Sequence, residues 1–210
     1  MARSKAKKRL YGVMKRSIFA AILSLLALPV GADPVPLSTL SAYLNGLSQF
    51  GAPFQQENAD GSWSSGHLYI HRPGRMRLDY DPPEQSVVIV AGSQVVIFDG
   101  KSKEPPEQYP LARTPLNLIL APQIDLGTAR MVVGTAEVGG LTHVVAQDPK
   151  NSDLGTIELI FAPDPVRLTG WILTDDAGNQ TMIKLGAFDT SQSQTALLYS
   201  VQNELAKRNR

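Results

Sequence analysis

The sequence predicts a mainly β fold: about eleven sequential, antiparallel strands curling toward a closed or half-closed sheet, with apolar helices available to cover it. Three observations predict it. Short runs of alternating apolar and polar residues recur from residue 50 to near the C-terminus, the period of a half-buried strand. Clusters of Gly, Pro, Asn, Asp and Ser separate these runs at hairpin intervals. Two other stretches, 36–51 and 114–122, carry leucines at helical spacing. A sheet of so many strands curls, and closing or half-closing it makes a cavity.

The chain opens on a basic, then apolar, then small pattern. Residues 1–16 hold seven basic residues and no acid, residues 18–30 are apolar, and Val30-Gly31-Ala32 fits a cleavage site before Asp33. An apolar run of about 13 residues is shorter than the roughly 20 that span a bilayer. Residues 1–32 therefore read as a cleaved secretory signal peptide, a retained anchor being the other reading, and 33–210 as one domain. Met14 is an alternative initiator, since Met14-Lys15-Arg16-Ser17 is itself an ordinary start. With seven of the 20 basic residues removed and all 19 acidic ones kept, the exported chain has a net charge of −6. That disfavours nucleic acid, which needs a basic footprint. The absence of cysteine excludes disulfides, thiolate metal sites, a cysteine nucleophile and a lipidated cysteine.

Leu37, Leu40, Leu44 and Leu47 predict an amphipathic helix, with Pro36 in its first turn and Gly51 closing the segment. It is either an ordinary core helix or a movable cover. Residues 50–57 form a strand with Phe54 and Gln56 on one face; 58–65 form a polar loop. Residues 66–83 form a hairpin turning at Pro73-Gly74. Its even positions carry Leu68, Ile70, Met76, Leu78 and Tyr80, its odd positions the polar set. Only an odd-numbered loop keeps one continuous apolar face. Pro73, Gly74 and Arg75 form that loop, pairing Arg72 with Met76, Ile70 with Leu78 and Leu68 with Tyr80. Arg72 then stands at the rim of the apolar face. Pro82-Pro83 forces the next turn.

Residues 86–98 form the clearest hairpin, with Gly92-Ser93 as a type II′ loop. Both its faces are apolar, so both are covered or line something. Residues 101–113 read as an exposed loop. Residues 114–122 read as a short helix capped by Thr114, begun by Pro115 and ended by Pro122, with Leu116, Ile119 and Leu120 on one face. The remaining strands fall at 130–134, 141–147, 156–161, 167–174, 180–188 and 196–201, and residues 207–210 form a frayed basic tail.

Chemistry-bearing constellations are few. His67 and His71 stand four apart, which on a strand separates them by about 13 Å, so they do not share a metal ion. His143 is isolated. No metalloprotease, phosphate-loop, nucleophile-elbow or dinucleotide signature occurs. Asp79, Asp81 and Glu84 gather at a turn, where carboxylates are solvated. No enzyme, metal or cofactor is expected. An apolar cavity instead wants an apolar ligand, the alternative being a solid core. Its candidate lining is Leu68, Ile70, Met76, Leu78 and Tyr80 of the first hairpin with Val88, Val90, Val96 and Phe98 of the second. The candidate lid is Leu40, Leu44 and Leu47 with Leu116, Ile119 and Leu120.

Taken in order, Phe54-Gln55-Gln56, Gly66-His67-Leu68, Arg72-Pro73-Gly74-Arg75, Tyr80 and Pro83, then 87–99 and 115–120, and 168–185 with its Asp176–Gly178 turn, resemble the periplasmic outer-membrane lipoprotein carrier family, LolA. Met76 and Leu78 depart from it, standing where the family often has aromatics, and the C-terminus lacks the usual Phe and Pro-rich ending. The resemblance implies an incomplete, half-open antiparallel β-barrel plugged by helices. It implies a monomeric carrier that takes the acyl chains of lipoproteins from an inner-membrane ABC transporter to an outer-membrane receptor across the periplasm. It also implies that Arg72 latches the lid over the empty cavity. A lipid-binding or lipoprotein-sensing module of the same fold that passes nothing on is the alternative function.

Overall fold

The computed structural model describes residues 33–128, 130–149 and 152–208. The expected signal peptide and the alternative start at Met14 lie outside them. Helix α1 (Leu37–Gly46) leads into strands β1 (Gln49–Glu57), β2 (Trp63–His71), β3 (Arg75–Tyr80), β4 (Val87–Ala91), β5 (Gln94–Phe98) and β6 (Glu107–Pro110). Helix α2 (Asn117–Leu120) precedes β7 (Val132–Val138), β8 (Leu141–Gln147), β9 (Thr156–Pro163), β10 (Val166–Thr174) and β11 (Gln180–Leu185), and helix α3 (Val201–Arg208) ends the described chain.

All eleven strands join one open antiparallel sheet in the order β6-β5-β4-β3-β2-β1-β11-β10-β9-β8-β7. The first and last strands meet at its centre, Phe54 opposite Leu185. Strands β5 and β10 are six steps apart, about 29 Å in a flat sheet, yet both line one cavity. The sheet is therefore strongly curled, with an inner and an outer face. Its edges are blunted by a four-residue strand ending in Pro110 and by an irregularity at Val132–Gly134.

The inner face holds the main core, from Phe54, Leu68 and Met76 round to Leu159, Phe161 and Trp171, with α1 and α2 packed into it. A second, smaller cluster of Val87, Ile89, Val96 and Phe98 lies on the outer face against Val201 and Leu205 of α3. Both faces of the second hairpin are thus covered.

Several elements differ from the sequence expectation. The helix α1 ends at Gly46 and Gly51 lies inside β1; Pro36 precedes the helix, its carbonyl accepting from Thr39 and Leu40. Strand β2 begins at Trp63, shortening the preceding loop. The hairpin loop is three residues long, as the apolar face requires, but it is Arg72-Pro73-Gly74: Ile70 pairs with Met76 and Leu68 with Leu78. Parity is kept and the apolar face survives. In the next hairpin Gly92 and Ser93 both have positive φ, 57° and 64°, a type I′ turn whose twist matches the strands. The 101–113 stretch contains β6. Thr114 donates its hydroxyl to the Leu111 carbonyl rather than capping α2. Residues 196–201 form a 3₁₀ turn running into α3 instead of a strand, and Lys207 and Arg208 belong to that helix.

Gly66 has a steric reason to be glycine. A Cβ there would lie 2.1 Å from the Asp79 carbonyl oxygen and 2.9 Å from the Phe54 ring. Phe54 covers the bare position and meets Tyr80 edge-on at 5.1 Å. Gly66→Ala forces the β2–β3 backbones apart and is expected to lower stability by about 2–3 kcal/mol, read as a lower urea midpoint.

Candidate functional site: a lidded apolar cavity

The inner face encloses a cavity of about 440 Å³, within the roughly 300–1,000 Å³ usual for small-molecule sites. Met76, Leu78 and Tyr80 of β3, Val88 of β4, Val95 and Ile97 of β5, Trp171 and Leu173 of β10 and Ile183 of β11 form its walls. Arg113, Thr114, Pro115 and Leu116 border it from the α2 side, and Gln56, Asp175 and Asn179 add polar groups. Tyr80 donates its hydroxyl to Gln56 Oε1 at 2.7 Å. Burial pushes that phenol up to about 12, so it stays a neutral donor.

The two helices close the inner face beside this cavity. Leu40 and Leu44 of α1, and Leu118, Ile119 and Leu120 of α2, are buried in the main core, and Leu47 is half-buried against it. The segment before α1 is tied to β8 by Val35 N–H donating to Thr142 Oγ1 at 2.8 Å. The Tyr43 hydroxyl accepts from the Leu168 amide at 3.1 Å. Helix α1 is also tied to the segment that follows α2. Asn45 Nδ2 donates to the Ile124 carbonyl, Asn45 Oδ1 accepts from the Ile124 amide, and Ser41 Oγ accepts from the Leu126 amide.

Arg72 joins both helices to the sheet. Its Nε donates to the Ala121 carbonyl at 3.1 Å, and Nη2 donates to the Pro122 carbonyl at 3.3 Å and to Asn45 Oδ1 at 3.2 Å. Its Nη1 donates to the Leu44 carbonyl and, at 3.4 Å, to that of Leu47. These carbonyls lie at and just past two helix C-termini, where a cation is favoured. The Gly74 amide adds a bond to the Leu120 carbonyl at 2.9 Å. Burial works against the charge and pulls the Arg72 pKa down, and the five acceptors offset that cost. The guanidinium fork suits the task because one planar group reaches acceptors on two elements.

The family model described as "Outer membrane lipoprotein carrier protein LolA" matches residues 45–202. The chain belongs to the LolA family. An outer-membrane lipoprotein carrier protein of Chromohalobacter salexigens is 28% identical over 181 residues, 80% of this chain and 83% of that protein. One from Nitrosomonas europaea is 32% identical over 91 residues, 41% of this chain and 44% of its own length, so the chain spans less than half of that relative in the match. Among solved structures, a LolA superfamily protein from Nitrosomonas europaea covers 80% of this chain and 99% of its own, at 8% identity and a TM-score of 0.43.

Within this LolA family member, the expected lining residues separate into three groups. Met76, Leu78, Tyr80 and Val88 lie on the cavity wall. Leu68, Ile70 and Val90 share that face but are packed into the core around it; Ile70 borders a small cleft with Leu44, Leu47, Phe50, Arg72 and Ile119. Val96 and Phe98 are a correction: they face outward, under α3. The two-residue loop pairs Ala91 with Gln94, hence Val88 with Ile97 and Val90 with Val95. Cross-strand partners share a face, so the odd residues of β5 turn inward. That parity was available from the loop length.

Val95, Ile97, Tyr109, Trp171, Leu173 and Ile183 are wall residues that the sequence reading missed. Of the expected lid residues, Leu116 borders the cavity and the other five pack beside it. No group of three or more His, Asp or Glu able to hold a metal occurs among the described residues. No described helix is long and apolar enough to cross a membrane.

Proposed function

We propose that this chain is a periplasmic carrier. It holds the acyl chains of lipoproteins on the inner face of its sheet and ferries them from an inner-membrane ABC transporter to an outer-membrane receptor. The observation that carries this reading is an apolar cavity bounded by helices that one arginine fastens to the sheet. Family membership and the basic, apolar, small order of the N-terminal residues support it.

Each methylene moved into water costs about 0.8 kcal/mol, so several acyl chains in free solution would cost on the order of tens of kcal/mol. A shell that buries them removes that cost, and no step of carriage calls for a catalytic group. Release matters as much as capture. The leucines of α1 and α2 already fill part of the inner face, so cargo has to displace them, and that lowers net affinity. A carrier whose empty state is satisfied can let go.

Native mass spectrometry of protein purified from its periplasm tests the reading. A bound triacylated peptide is expected; a different lipid favours the module that passes nothing on, and lipid-free protein counts against both. A second test addresses the wall. Leu78 is 4% exposed and borders the cavity. Leu78→Glu places a carboxylate against hydrocarbon and is expected to weaken uptake of a fluorescent fatty-acyl probe roughly tenfold or more. Met76→Glu acts in the same direction. Unchanged uptake by both variants removes this surface from the binding site.

A further inference from the structure

Trp171 is fully buried, and its Nε1–H has no hydrogen-bond partner among the described residues. An unpaired buried donor costs about 1–3 kcal/mol, and such a group calls for an explanation. Its cross-strand neighbours are Ile183 on β11 and Leu159 on β9, neither of which has a side-chain acceptor. The side chain forms part of the cavity wall. Tyr80, in the same wall, already donates its hydroxyl to Gln56. The wall residues therefore combine hydrocarbon with a buried indole N–H that no described residue accepts.

We infer that Trp171 is a specificity-determining donor: its indole N–H takes the carbonyl oxygen of an O-acyl ester at the head of a hydrocarbon tail. The assignment rests on the proposed carriage of acyl chains. A neutral carbonyl satisfies the donor without burying a charge, whereas a carboxylate held at Trp171, between Ile183 and Leu159, would be desolvated there. The tail then lies along Leu78, Val88, Val95 and Ile183, and the bond fixes how far it enters. A purely alkyl tail fills the same walls and leaves the donor unpaired, so an ester is favoured over an ether of equal length.

The chain has two tryptophans, and Trp63→Phe leaves Trp171 as the sole indole. In that protein a diacylglycerol is expected to bind about threefold to tenfold tighter than the dialkyl-ether glycerol of the same chain length. Trp63→Phe/Trp171→Phe keeps the ring and removes the N–H, and the preference is expected to fall to about one. Trp171 emission is expected to move to longer wavelength with the ester and not with the ether. A preference that survives the loss of Trp171, or equal emission shifts for both lipids, overturns the assignment. The emission comparison decides it even where the double variant does not fold. Equal binding of both lipids removes the assignment and leaves the carrier reading standing; binding of neither removes both.

Discussion

Arg72→Leu is expected to bind a fluorescent acyl probe about tenfold to a hundredfold more tightly than the unaltered protein, while passing lipoprotein on to a receptor poorly. Five acceptors, two on α1 and three on the residues just after α1 and α2, converge on that guanidinium. Leucine removes every donor and leaves the helix-end carbonyls to water. Charge-assisted bonds contribute about 1.5–3 kcal/mol each at most, and these compete with solvent at a partly open rim. A net loss of about 1.5–3 kcal/mol from the closed state corresponds to the stated range. In the proposed carrier the empty protein loses that stability and the loaded protein, its lid parted, does not. Cargo thus gains affinity that the receptor has to overcome. Arg72→Lys keeps the charge but reaches fewer acceptors, and an intermediate affinity is expected. The checks are probe titration and a reconstituted two-protein transfer assay. Normal transfer by Arg72→Leu excludes a latch.

The second large effect lies on the opposite face of the sheet. Arg77 and Glu204 are each 5% exposed and meet at 3.0 Å. The same guanidinium contacts Asp79 at 2.6 Å and donates to the Leu198 carbonyl at 3.1 Å. Glu204 also receives Arg208 at 3.2 Å and Lys207 at 3.7 Å. Arg208 in turn bonds the carbonyls of Asp99 and Gln85 and lies over the Phe98 ring. The pair fastens α3 over the outer apolar cluster. Removing one partner leaves the other without its most buried counter-charge, and Arg77→Met is expected to cost about 3–5 kcal/mol, measured by urea denaturation. Arg77→Met combined with Glu204→Leu removes both charges and is expected to recover most of the loss. A double variant as unstable as the single one shows that packing, not the lost counter-charge, sets the cost.

The same pair carries a pH signature. Burial opposes the Glu204 charge, but Arg77, Arg208 and Lys207 together outweigh it and hold the carboxyl below its usual range. A carboxylate depressed in the folded state contributes stability that is complete above its unfolded value, near pH 4.3. That contribution is lost as pH falls through the lower folded value. Glu204→Gln is therefore expected to flatten the acid limb of the stability profile. An acid limb unchanged in that variant assigns the dependence to other carboxylates.

Most of the site's framework is local and was legible. Period-two alternation in Leu68, Ile70, Met76 and Leu78 depends only on how a strand presents side chains, so that face could be read directly. Leu40, Leu44, Leu116 and Ile119 announce helices by their spacing, and Arg72 is conspicuous as the charge beside the hairpin turn. The strand count reached eleven through two compensating differences. Residues 196–201 are β-like in composition but run into a helix, and the Pro-rich stretch before residue 113 hides β6. Tertiary packing overrode weak local preference in both.

What local residue patterns settled, then, is the order of strands and turns, the apolar face of the first hairpin and the presence of two apolar helices. Those follow from side-chain periodicity and from glycine and proline geometry, which act over a few residues. What only the folded chain decided is which face of the later strands became the inside. In β10 the register shifts between Leu168 and Gly170, so Leu168 and Trp171, three apart, share one face and a strict period-two count would have pointed Trp171 outward. The outer cluster found its cover through a buried ion pair joining residues 127 positions apart. Bulges, registers and distant charge pairs are properties of the assembled sheet, and no short window of residues contains them.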